Sequence, residues 1–505
     1  MTVARLPVFG ALIVCACGRL GFDEAPDASP VGVSLSYPTG NIEAVLGTTP
    51  VMLTPHALGA GLSFSVTPAL PVGLLLDPST GVIAGVPSES VDNASFTVTA
   101  SSAHGSATFP LVATVLPGYE VDSTRDDPDD NDGTDAVCHA TAANGCTLRA
   151  AIQTVNRRTG KQLVLLPAGD YAIGSSLEAV GNDFELAGAG AGVTLVHPPT
   201  VHPGYGMISL PTAHHLSLEA TAFADFGSVD GAVVSVTAGI LDVEACAFTN
   251  NDSAGSGGVL FIANGASATL LDSTFTSNTS FGGCCGGWGG VIDGEGSGTT
   301  IHVARSTATL NATAWGGFSH ITSGTTLVLE SSTIDSNTST ISGALATPGG
   351  VYTLINDTIT HNTNTNPTPD SSDTASAGIY LYSAPCHYTL VNTLIAFNTD
   401  TTGAERNCNR RDLTTSLTSN GGNLLSDDGR NCAMYLTGPG DRLMADPGLD
   451  PGGLADHGGP TQTILLVPGS AAIDTGESAG CPATDQRGMA RPANGACDVG
   501  AVEMQ

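Results

Sequence analysis

The chain has 505 residues, of which 41% are hydrophobic and only 5% aromatic, so it is long enough for several domains and a large buried core. Its formal net charge is -32 at pH 7 and Lys161 is its only lysine. This balance excludes nucleic acid as a partner, because phosphate binding depends on Lys and Arg. Because only 12% of the residues are charged, the acidity indicates a soluble folded surface rather than disorder.

The first seventeen residues have the pattern of a targeting segment. Arg5 supplies the positive charge, and the apolar run from Leu6 to Ala16 is too short to span a bilayer. The end of this segment, Val14-Cys15-Ala16-Cys17, resembles a bacterial lipoprotein signal, with Cys17 as the lipidated residue because Ala16 suits the position before the cut. The alternative is an ordinary secretory signal. We therefore predict a signal peptide over residues 1–17, a polar tether over residues 18–32, and a cell-surface outer-membrane lipoprotein or otherwise a secreted protein.

Ten cysteines follow Cys17, and an even number outside the cytoplasm predicts disulfides. Local spacing predicts the pairs Cys138 with Cys146, Cys408 with Cys432, and Cys481 with Cys497. The sequence assigns no partner to the remaining four, Cys246, Cys284, Cys285 and Cys386. A structural zinc site is not expected, because the chain lacks Cys-x-x-Cys and closely spaced histidine pairs.

Residues 33–116 are predicted to form a small β-sandwich, because short β-prone runs alternate with Pro and Gly turns. The runs Leu62-Ser-Phe-Ser-Val-Thr-Pro, Gly73-Leu-Leu-Leu-Asp-Pro-Ser-Thr-Gly and Phe96-Thr-Val-Thr-Ala resemble the Putative Ig domain family of bacterial surface proteins. The resemblance implies a spacer or adhesion module without catalytic residues.

Residues 117–135 form a run rich in aspartate. We predict a solvated acidic linker rather than a calcium loop, because counting back from Gly133 places Pro128 where an EF-type loop needs its first ligand. A short amphipathic helix is predicted next, with Thr147 as N-cap and Leu148, Ile152 and Val155 on one face. Such a helix would cap the solenoid predicted over residues 136–442, whose open end would expose core side chains and strand edges.

One short pattern recurs seven times from Leu216 to Asn398, at intervals of 25 to 36 residues, the range typical of a solenoid. Each copy has an anchor residue, preceded five and seven positions earlier by apolar or small residues and followed three positions later by Asn in six of the copies. The anchors are Phe223, Phe248, Phe275, Ala308, Ile334, Ile359 and Ile395.

Alternation of apolar and polar positions before each anchor predicts strands whose apolar side chains stack in internal ladders. We predict that each Asn adopts a left-handed turn conformation and bonds to the same amide of the next rung. The insertion from Thr363 to Ala377 should bulge out as a loop. The fold class is therefore all-β, a right-handed parallel β-helix preceded by a small Ig-like β-sandwich.

Two further resemblances concern this region and the end of the chain. Gly-Gly-apolar followed by Phe-x-x-Asn, clearest from Gly257 to Asn278, resembles the polymorphic outer-membrane-protein repeat and the pectin-lyase-like superfamily. Residues 443–505, with Ala445-Asp-Pro-Gly-Leu, His457-Gly-Gly-Pro-Thr-Gln-Thr and Cys497-Asp-Val-Gly-Ala, resemble the choice-of-anchor Q region of bacterial β-helix proteins. We expect this region to be a cap in which Asp485 and Arg487 form a structural pair, and we expect the lipid to be the membrane anchor.

One cluster of acidic residues in the repeat is a candidate for catalysis. Glu219 and Glu244 occupy the same repeat position on successive rungs, and Asp242 shares their outward face. Such carboxylates could act as acid and base on a glycan or bind calcium. The alternative without a function is that they form a solvated acidic surface. Arg305 stands in the same repeat position as Asp272 one rung earlier, which predicts a structural ion pair. The hydrolase motifs of the pectin-lyase-like family are missing from the repeat.

The sequence favours a non-enzymatic, lipid-anchored surface protein that binds a glycan or a protein. The alternative is a polysaccharide lyase or glycoside hydrolase that acts through Glu219, Asp242 and Glu244, with calcium as the only cofactor considered. Trp288 and Trp315 flank equivalent Gly-Gly turns, where they would form either a small platform for sugars or part of the packing.

Overall fold

The structure is a computed structural model that describes residues 32–131, 135, 137–142, 145–282, 286–366, 376–383, 385–412 and 414–505. The lipidation candidate Cys17, the signal segment, Cys284, Cys285 and the central part of the insertion, residues 367–375, lie outside the described residues. Within the described chain, no helix is both long and apolar enough to cross a membrane.

The N-terminal domain is the small β-sandwich that the turn pattern predicts, antiparallel except where Asn41–Val45 pairs in parallel with Gly105–Leu116. Its core contains Ile42, Leu74, Ile83, Phe96 and Leu111, all buried. One sheet, in spatial order, consists of Asn41–Val45, Gly105–Leu116, Val91–Ser102 and Ser63–Thr67. The other sheets consist of Val51–Leu53, Ile83–Gly85 and Leu74–Leu76, and of Ser34–Ser36 paired with His56–Leu58.

The remainder is a right-handed parallel β-helix whose four sheets we name A, B, C and D in the order in which one rung visits them. One complete rung runs through Ile240–Glu244 in sheet A, Ala247–Thr249 in sheet B, Asp252–Ser256 in sheet C and Leu260–Ala263 in sheet D. All strand pairs within these sheets are parallel, and sheets A and B keep their register from rung to rung, for example Leu241 beside Ala268 and Phe248 beside Phe275. The first pair of sheet C has one register shift, after Ser228. The fold class expected from the repeat is therefore confirmed.

The strand bounds follow the repeat closely. Sheet A consists of Gly118–Glu120, Gln162–Leu166, Phe184–Gly188, His215–Glu219, Ile240–Glu244, Ser267–Leu271, Thr300–Ala304, Thr326–Glu330, Val351–Ile355, His387–Val391 and Ser416–Ser419. Sheet B consists of Gly169–Ala172, Thr194–His197, Ala222–Ala224, Ala247–Thr249, Thr274–Thr276, Thr307–Thr309, Thr333–Asp335, Thr358–Thr360, Leu394–Ala396 and Leu424–Leu425.

The other two sheets complete each rung. Sheet C consists of Gly227–Asp230, Asp252–Ser256, Thr279–Ser280, Ala312–Thr313, Thr338–Ser339, Thr363–Asn364 and Thr399–Asp400. Sheet D consists of Ile208–Leu210, Val234–Val236, Leu260–Ala263, Ile292–Glu295, Ser319–Ile321, Leu345–Thr347, Ile379–Leu381 and Cys408–Arg410.

The interior of the β-helix is a continuous apolar core formed by the anchors and the residues five and seven positions before them. Phe223, Phe248 and Phe275 are fully buried, and their rings stack at centroid distances of 5.4 and 5.1 Å. Tyr352 and Tyr388 stack in the same way at 4.7 Å. Parallel stacking at the rung spacing follows from the constant register, because identical positions lie about 4.8 Å apart along the axis.

The repeated Asn residues form the predicted amide ladder at the corner between sheets B and C. The Nδ2 group of Asn251 donates to Oδ1 of Asn278 at 2.9 Å, and the pattern continues from Asn278 to Asn311 and from Asn311 to Asn337. The backbone N–H of each Asn donates to the same Oδ1 of the next rung, as from Asn278 to Asn311 at 2.9 Å. The ladder therefore satisfies the polar groups of a buried corner.

The left-handed conformation, however, belongs to the residue before each Asn. Asp225, Asn250, Ser277, Leu310, Ser336, His361 and Phe397 have φ between 52° and 63°. The prediction for the Asn itself is wrong, because its side chain must point inwards to reach the next amide. The residue before it, which is half-buried or exposed, makes the turn instead. A second left-handed residue stands at each corner between sheets A and B, from Ala220 to Asn392, with φ between 47° and 54°.

A helix lies at the N-terminal end of the β-helix. It spans Leu148–Val155, and the side chain of Thr147 accepts a hydrogen bond from Ala150 N at 3.1 Å. Leu148, Ile152 and Val155 are buried in the main core. The helix therefore covers the open end of the core, as its amphipathic pattern suggests.

The acidic segment 117–135 differs from the predicted solvated linker. Gly118–Glu120 is the first strand of sheet A. Asp122 accepts from Cys146 N at 2.7 Å, Asp126 pairs with Arg149 at 2.8 Å, and Asp129 is 3% exposed and accepts from Thr154. These carboxylates stabilise the segment against the capping helix, because they satisfy donors at its start.

Residues 443–505 pack along the outer face of sheet B rather than only over the end of the coil. Leu466, Ala472 and Val499 contact Leu394 and Leu424. Thr307 of sheet B donates to Gln462 O at 2.6 Å, and Thr333 donates to Gln486 at 2.6 Å. The C-terminal end of the core itself is closed by the short 3-10 helix Arg430–Tyr435, which the Cys408–Cys432 disulfide ties to sheet D.

Candidate functional site

The three predicted acidic residues lie in one cleft between the outer face of sheet A and the Ig-like domain. The cleft has a volume of about 530 Å³. The Ig-like domain is held beside it by a small apolar contact in which Val45 and Leu116 pack against Leu163 and Ala187 of sheet A. The domain therefore stands over the first rungs of sheet A, instead of extending away from the β-helix.

Register places the predicted residues together. Glu219 and Glu244 are direct neighbours on adjacent strands of sheet A, and Asp242 lies opposite Ser217. All three line the cleft. The structure thus brings together the residues that the repeat alignment assigned to one outward face.

Several of these carboxylates already have partners. Asn41 of the Ig-like domain donates through Nδ2 to Glu219 Oε1 at 2.8 Å. His215 Nε2 lies 2.7 Å from Asp242 Oδ2. The interdomain bond means that one of the three predicted residues helps to hold the two domains together.

Four contributors to the cleft were missed by the sequence analysis: Glu43, Asp92, Lys161 and Glu185. Lys161 Nζ lies 2.7 Å from Asp92 in the Ig-like domain and 3.1 Å from Glu185 in sheet A. Glu185 stands on the irregular rung before the repeat begins, so no alignment pointed to it. Glu43 and Asp92 come from another domain, and no rule of spacing could connect them to the β-helix.

The cleft is strongly acidic. Its lining includes six carboxylic acids against one lysine and one histidine. Burial raises the pKa of Glu43 to about 10, together with the charge of Glu219 and a hydrogen bond to it. Burial also raises the pKa of Glu185, and burial and the charge of Glu219 raise the pKa of Glu244. Like charges in a partly dry cleft therefore resist full ionisation.

The pKa values of the two basic groups are raised as well, which in their case favours the charged form. The hydrogen bond to Asp242 raises the pKa of His215, against the effect of burial. Burial opposes the charge on Lys161, but the contacts with Asp92 and Glu185 outweigh it and raise the pKa of this lysine. Both side chains consequently stay cationic over a wider range of pH than free side chains.

Glu43 and Glu219 lie too close together to be the carboxylate pair of a glycosidase. Such a pair flanks a sugar at separations of roughly 5 to 9.5 Å, whereas Glu43 and Glu219 hydrogen-bond to each other. Glu244 has the raised pKa that a general acid needs, and Glu219 beside it is the nearest base. The carboxylates of Glu43, Glu185 and Glu219 also offer oxygen atoms that all lie within 4.8 Å of one another, an arrangement able to hold a cation.

A second surface, beside sheet D, carries aromatic side chains from three of its rungs. Trp288 and Trp315 lie on neighbouring rungs and pair through their backbones. Tyr382 meets Trp315 edge to face at 4.9 Å, and the guanidinium of Arg411 lies 4.6 Å from the Tyr382 ring centre. We name Trp288, Trp315, Tyr382 and Arg411 the aromatic face. All three rings are half-buried, so each retains some exposed surface.

A buried histidine–aspartate pair adjoins the aromatic face. His320 Nδ1 lies 2.8 Å from Asp293 Oδ1, and the His320 ring lies 6.5 Å from that of Trp288. Asp293 Oδ2 has no hydrogen-bond partner among the described residues. The pair fixes the position of His320 beneath the tryptophan, although its spacing in the sequence gave no sign of this contact.

The other predicted positions are structural. Arg305 contacts Asp272 through two hydrogen bonds of 2.8 and 2.6 Å, which confirms the ion pair between rungs. The three predicted disulfides are all present. Cys246 and Cys386 are buried free thiols, and burial raises the pKa of each to about 12, so neither is a nucleophile. Arg487 pairs with Asp485 at 2.7 Å, as expected for a structural pair.

Comparison with known proteins gives one family match. Residues 29–116 match the Putative Ig domain family, in agreement with the resemblance of the N-terminal sandwich. No curated protein matches the chain in sequence.

Several solved structures resemble parts of the chain. The catalytic domain of a GH87 alpha-1,3-glucanase in complex with nigerose is 11% identical, with 75% of this chain and 88% of that chain covered and a TM-score of 0.25. The Agl-KA catalytic domain is 12% identical, with coverages of 69% and 74% and a TM-score of 0.25. A putative alpha-galactosidase from Bacteroides fragilis is 15% identical, with a TM-score of 0.15. The match covers 31% of this chain and 45% of the galactosidase. Likeness at this level carries no conclusion about activity.

Proposed function

We propose that this protein binds a glycan outside the cytoplasm without converting it, and that the aromatic face is the binding surface. The observation that carries the proposal is the alignment of Trp288, Trp315 and Tyr382 along one side of the β-helix. Aromatic rings present flat apolar surfaces with polar edges, which suit the C–H faces of sugar rings. Arg411 stands beside them as a donor for hydroxyl or carboxylate groups.

The regular coil favours binding of an extended ligand. Successive rungs lie about 4.8 Å apart, so rings on several rungs would contact successive parts of one glycan chain. A rigid scaffold also lowers the entropy lost on binding, because the aromatic side chains are already oriented by packing. A protein ligand is the other partner class compatible with this surface.

The proposal includes attachment to the cell surface. The lipoprotein-like signal ending at Cys17 would anchor the chain in the outer membrane, and the three disulfides are consistent with an oxidising compartment. The resemblances to polymorphic outer-membrane-protein repeats and to the choice-of-anchor Q region support the same placement. The Ig-like domain and the β-helix, which contact each other at the acidic cleft, would then be exposed together on the cell surface.

The direct test is a glycan-array screen of the purified chain beside a product assay on the same glycans. We expect selective binding of one glycan class, and neither new reducing ends nor unsaturated products. Binding that is unchanged in the variant Trp288→Ala/Trp315→Ala would contradict the aromatic face. If no glycan binds and a protein ligand is captured instead, the glycan proposal is wrong and the partner is a protein.

The second candidate function is a polysaccharide lyase or glycoside hydrolase acting in the acidic cleft. The specific observation in its favour is the meeting of Glu219, Asp242 and Glu244 with the raised pKa of Glu244. If this candidate is right, the product assay detects turnover that Glu244→Gln abolishes. Turnover of that kind would overturn the non-enzymatic proposal.

A further inference from the structure

We infer that Glu43, Glu185 and Glu219 bind a calcium ion that joins the Ig-like domain to the β-helix. The three residues come from different parts of the chain: Glu43 from the strand Asn41–Val45, Glu185 from Phe184–Gly188 and Glu219 from His215–Glu219. One oxygen of each lies within 4.8 Å of the others. This spacing surrounds a point from which each oxygen can reach the 2.3 to 2.6 Å typical of calcium ligands with small side-chain movements.

The second observation concerns Glu185, whose side chain is only 6% exposed. Its Oε2 pairs with Lys161 at 3.1 Å, while Oε1 is buried and has no hydrogen-bond partner among the described residues. A buried carboxylate oxygen without a partner destabilises the folded chain, because the hydration that it loses is not replaced. A cation between the three carboxylates would satisfy this oxygen.

The charge of the surroundings agrees with a cation. The lining of the cleft carries six carboxylic acids, and only Lys161 and His215 oppose them. Lys161 is engaged by Asp92 and Glu185, and His215 by Asp242. Neither basic group contacts Glu43 or Glu219 in these pairs, so the interdomain carboxylates lack a cation of their own.

Calcium fits the donors better than a transition metal. The three ligands are carboxylates, and hard oxygen donors without His or Cys suit calcium or magnesium. Calcium accepts irregular, partly bidentate carboxylate sets completed by water, whereas magnesium needs near-ideal octahedral geometry. The affinity should be that of extracellular calcium modules, with a dissociation constant on the order of 0.1 to 1 mM.

The test is calcium titration of the full chain at pH 8 by calorimetry, with thermal unfolding at increasing calcium. We expect saturable binding of one ion and a rise in the unfolding midpoint of about 1 to 3 °C at 10 mM calcium. Glu43→Gln should weaken binding at least about tenfold. This variant should fold, because the Gln amide still donates a hydrogen bond to Glu219.

The matched control is Glu244→Gln, which removes the same charge from the same cleft but lies outside the three ligands. It should change the dissociation constant less than about threefold, since only long-range attraction is altered. Equal losses in Glu43→Gln and Glu244→Gln would overturn the site in favour of diffuse attraction. No heat and no shift in midpoint would also overturn it, and would leave a proton shared by Glu43 and Glu219 as the link between the domains.

Discussion

The buried amides at the corner between sheets B and C are the residues on which the regularity of the coil depends most. Asn337 accepts from Asn311 N at 3.0 Å and from Asn311 Nδ2 at 2.8 Å, and it donates to Ala308 O at 3.0 Å. It is 1% exposed. Loss of this side chain leaves donors on the neighbouring rung buried without a partner, where water cannot replace the amide.

We predict that Asn337→Ala lowers the free energy of unfolding by about 2 to 4 kcal/mol. Asn337→Asp should cost at least as much, because a buried carboxylate keeps the acceptor for Asn311 but faces the Ala308, Asp335 and Asn362 oxygens to which the amide donates. Denaturant unfolding measures both values, and Thr309→Ala at a half-buried position of sheet B serves as the control. A loss below about 0.5 kcal/mol for Asn337→Ala, the range of ordinary surface changes, would show that the ladder contributes little.

A second polar ladder at the start of sheet B contains a buried acid. Ser306 N donates to Ser332 Oγ at 3.1 Å, and one rung later Ser332 N donates to Asp357 Oδ1 at 3.0 Å. Asp357 is fully buried, and burial raises its pKa well above the ordinary value despite these backbone donors. Asp357 therefore holds a proton in the folded chain at a pH where the unfolded chain has released it.

This proton makes stability depend on pH. Because the folded state binds more protons than the unfolded state above the ordinary Asp pKa, stability should fall as pH rises, by up to about 1.4 kcal/mol per pH unit. Asp357→Ser, which restores the residue type of neighbouring rungs, should remove this contribution. Denaturant unfolding from pH 4 to pH 8 measures the free energy of unfolding of both proteins. As the pH rises, the stability of the variant relative to the native chain should increase. A difference that is constant with pH would contradict the raised pKa.

At the scale of elements, one glutamine connects residues 443–505 to the outer face of sheet B. Gln486 Nε2 lies 2.8 Å from Thr307 Oγ1 and 2.9 Å from Thr461 Oγ1, and its Oε1 accepts from Thr333. The residue is fully buried. A single side chain thus links two rungs of sheet B to the segment that covers them.

We expect Gln486→Ala to loosen residues 443–505 and to cost about 2 to 3 kcal/mol, because several buried polar groups lose their partner. Native-state hydrogen exchange should show faster exchange in this segment while the N-terminal rungs keep their protection. Gln462→Ala, at an exposed side chain, should leave exchange unchanged. Uniform loss of protection along the whole β-helix would show that the segment is not a separate unit.

Local pattern explains which elements were predictable. The anchors and the apolar positions before them specify sheets A and B, because one-residue slips would turn Phe248 or Leu270 towards solvent. The left-handed conformation was predicted for the Asn rather than for the residue before it, because the residue type alone does not show which way an amide side chain points. The packing of residues 443–505 on sheet B depends on contacts across more than a hundred residues, such as Gln486 with Thr333, which no local pattern encodes.

At the scale of the whole molecule, the Ig-like domain changes what sheet A can do. The Ig-like fold that its sequence predicted is confirmed, but the domain does not extend away as a spacer would, because Asn41 and Glu43 close over the rungs of Glu185 and Glu219. Half of the candidate site was therefore predictable from register within sheet A. The other half required knowledge of how two domains meet, which depends on surface fit rather than on spacing.

Closure of the cleft separates the two candidate functions in space. Partnered carboxylates lie under the Ig-like domain, whereas the aromatic face lies beside sheet D on the later rungs. A protein with a net charge of -32 repels anionic ligands at long range, so we expect the bound glycan to be neutral. Binding should accordingly depend little on salt.

The central claim is that the protein binds a glycan through Trp288, Trp315 and Tyr382. The most direct measurement is calorimetric titration of the best array glycan into the native chain, Trp288→Ala/Trp315→Ala and Phe397→Ala, whose half-buried ring lies at the corner between sheets B and C. We predict at least about a tenfold loss of affinity in the double tryptophan variant, native affinity in Phe397→Ala, and unchanged unfolding midpoints. Native affinity in the tryptophan variant would contradict the claim.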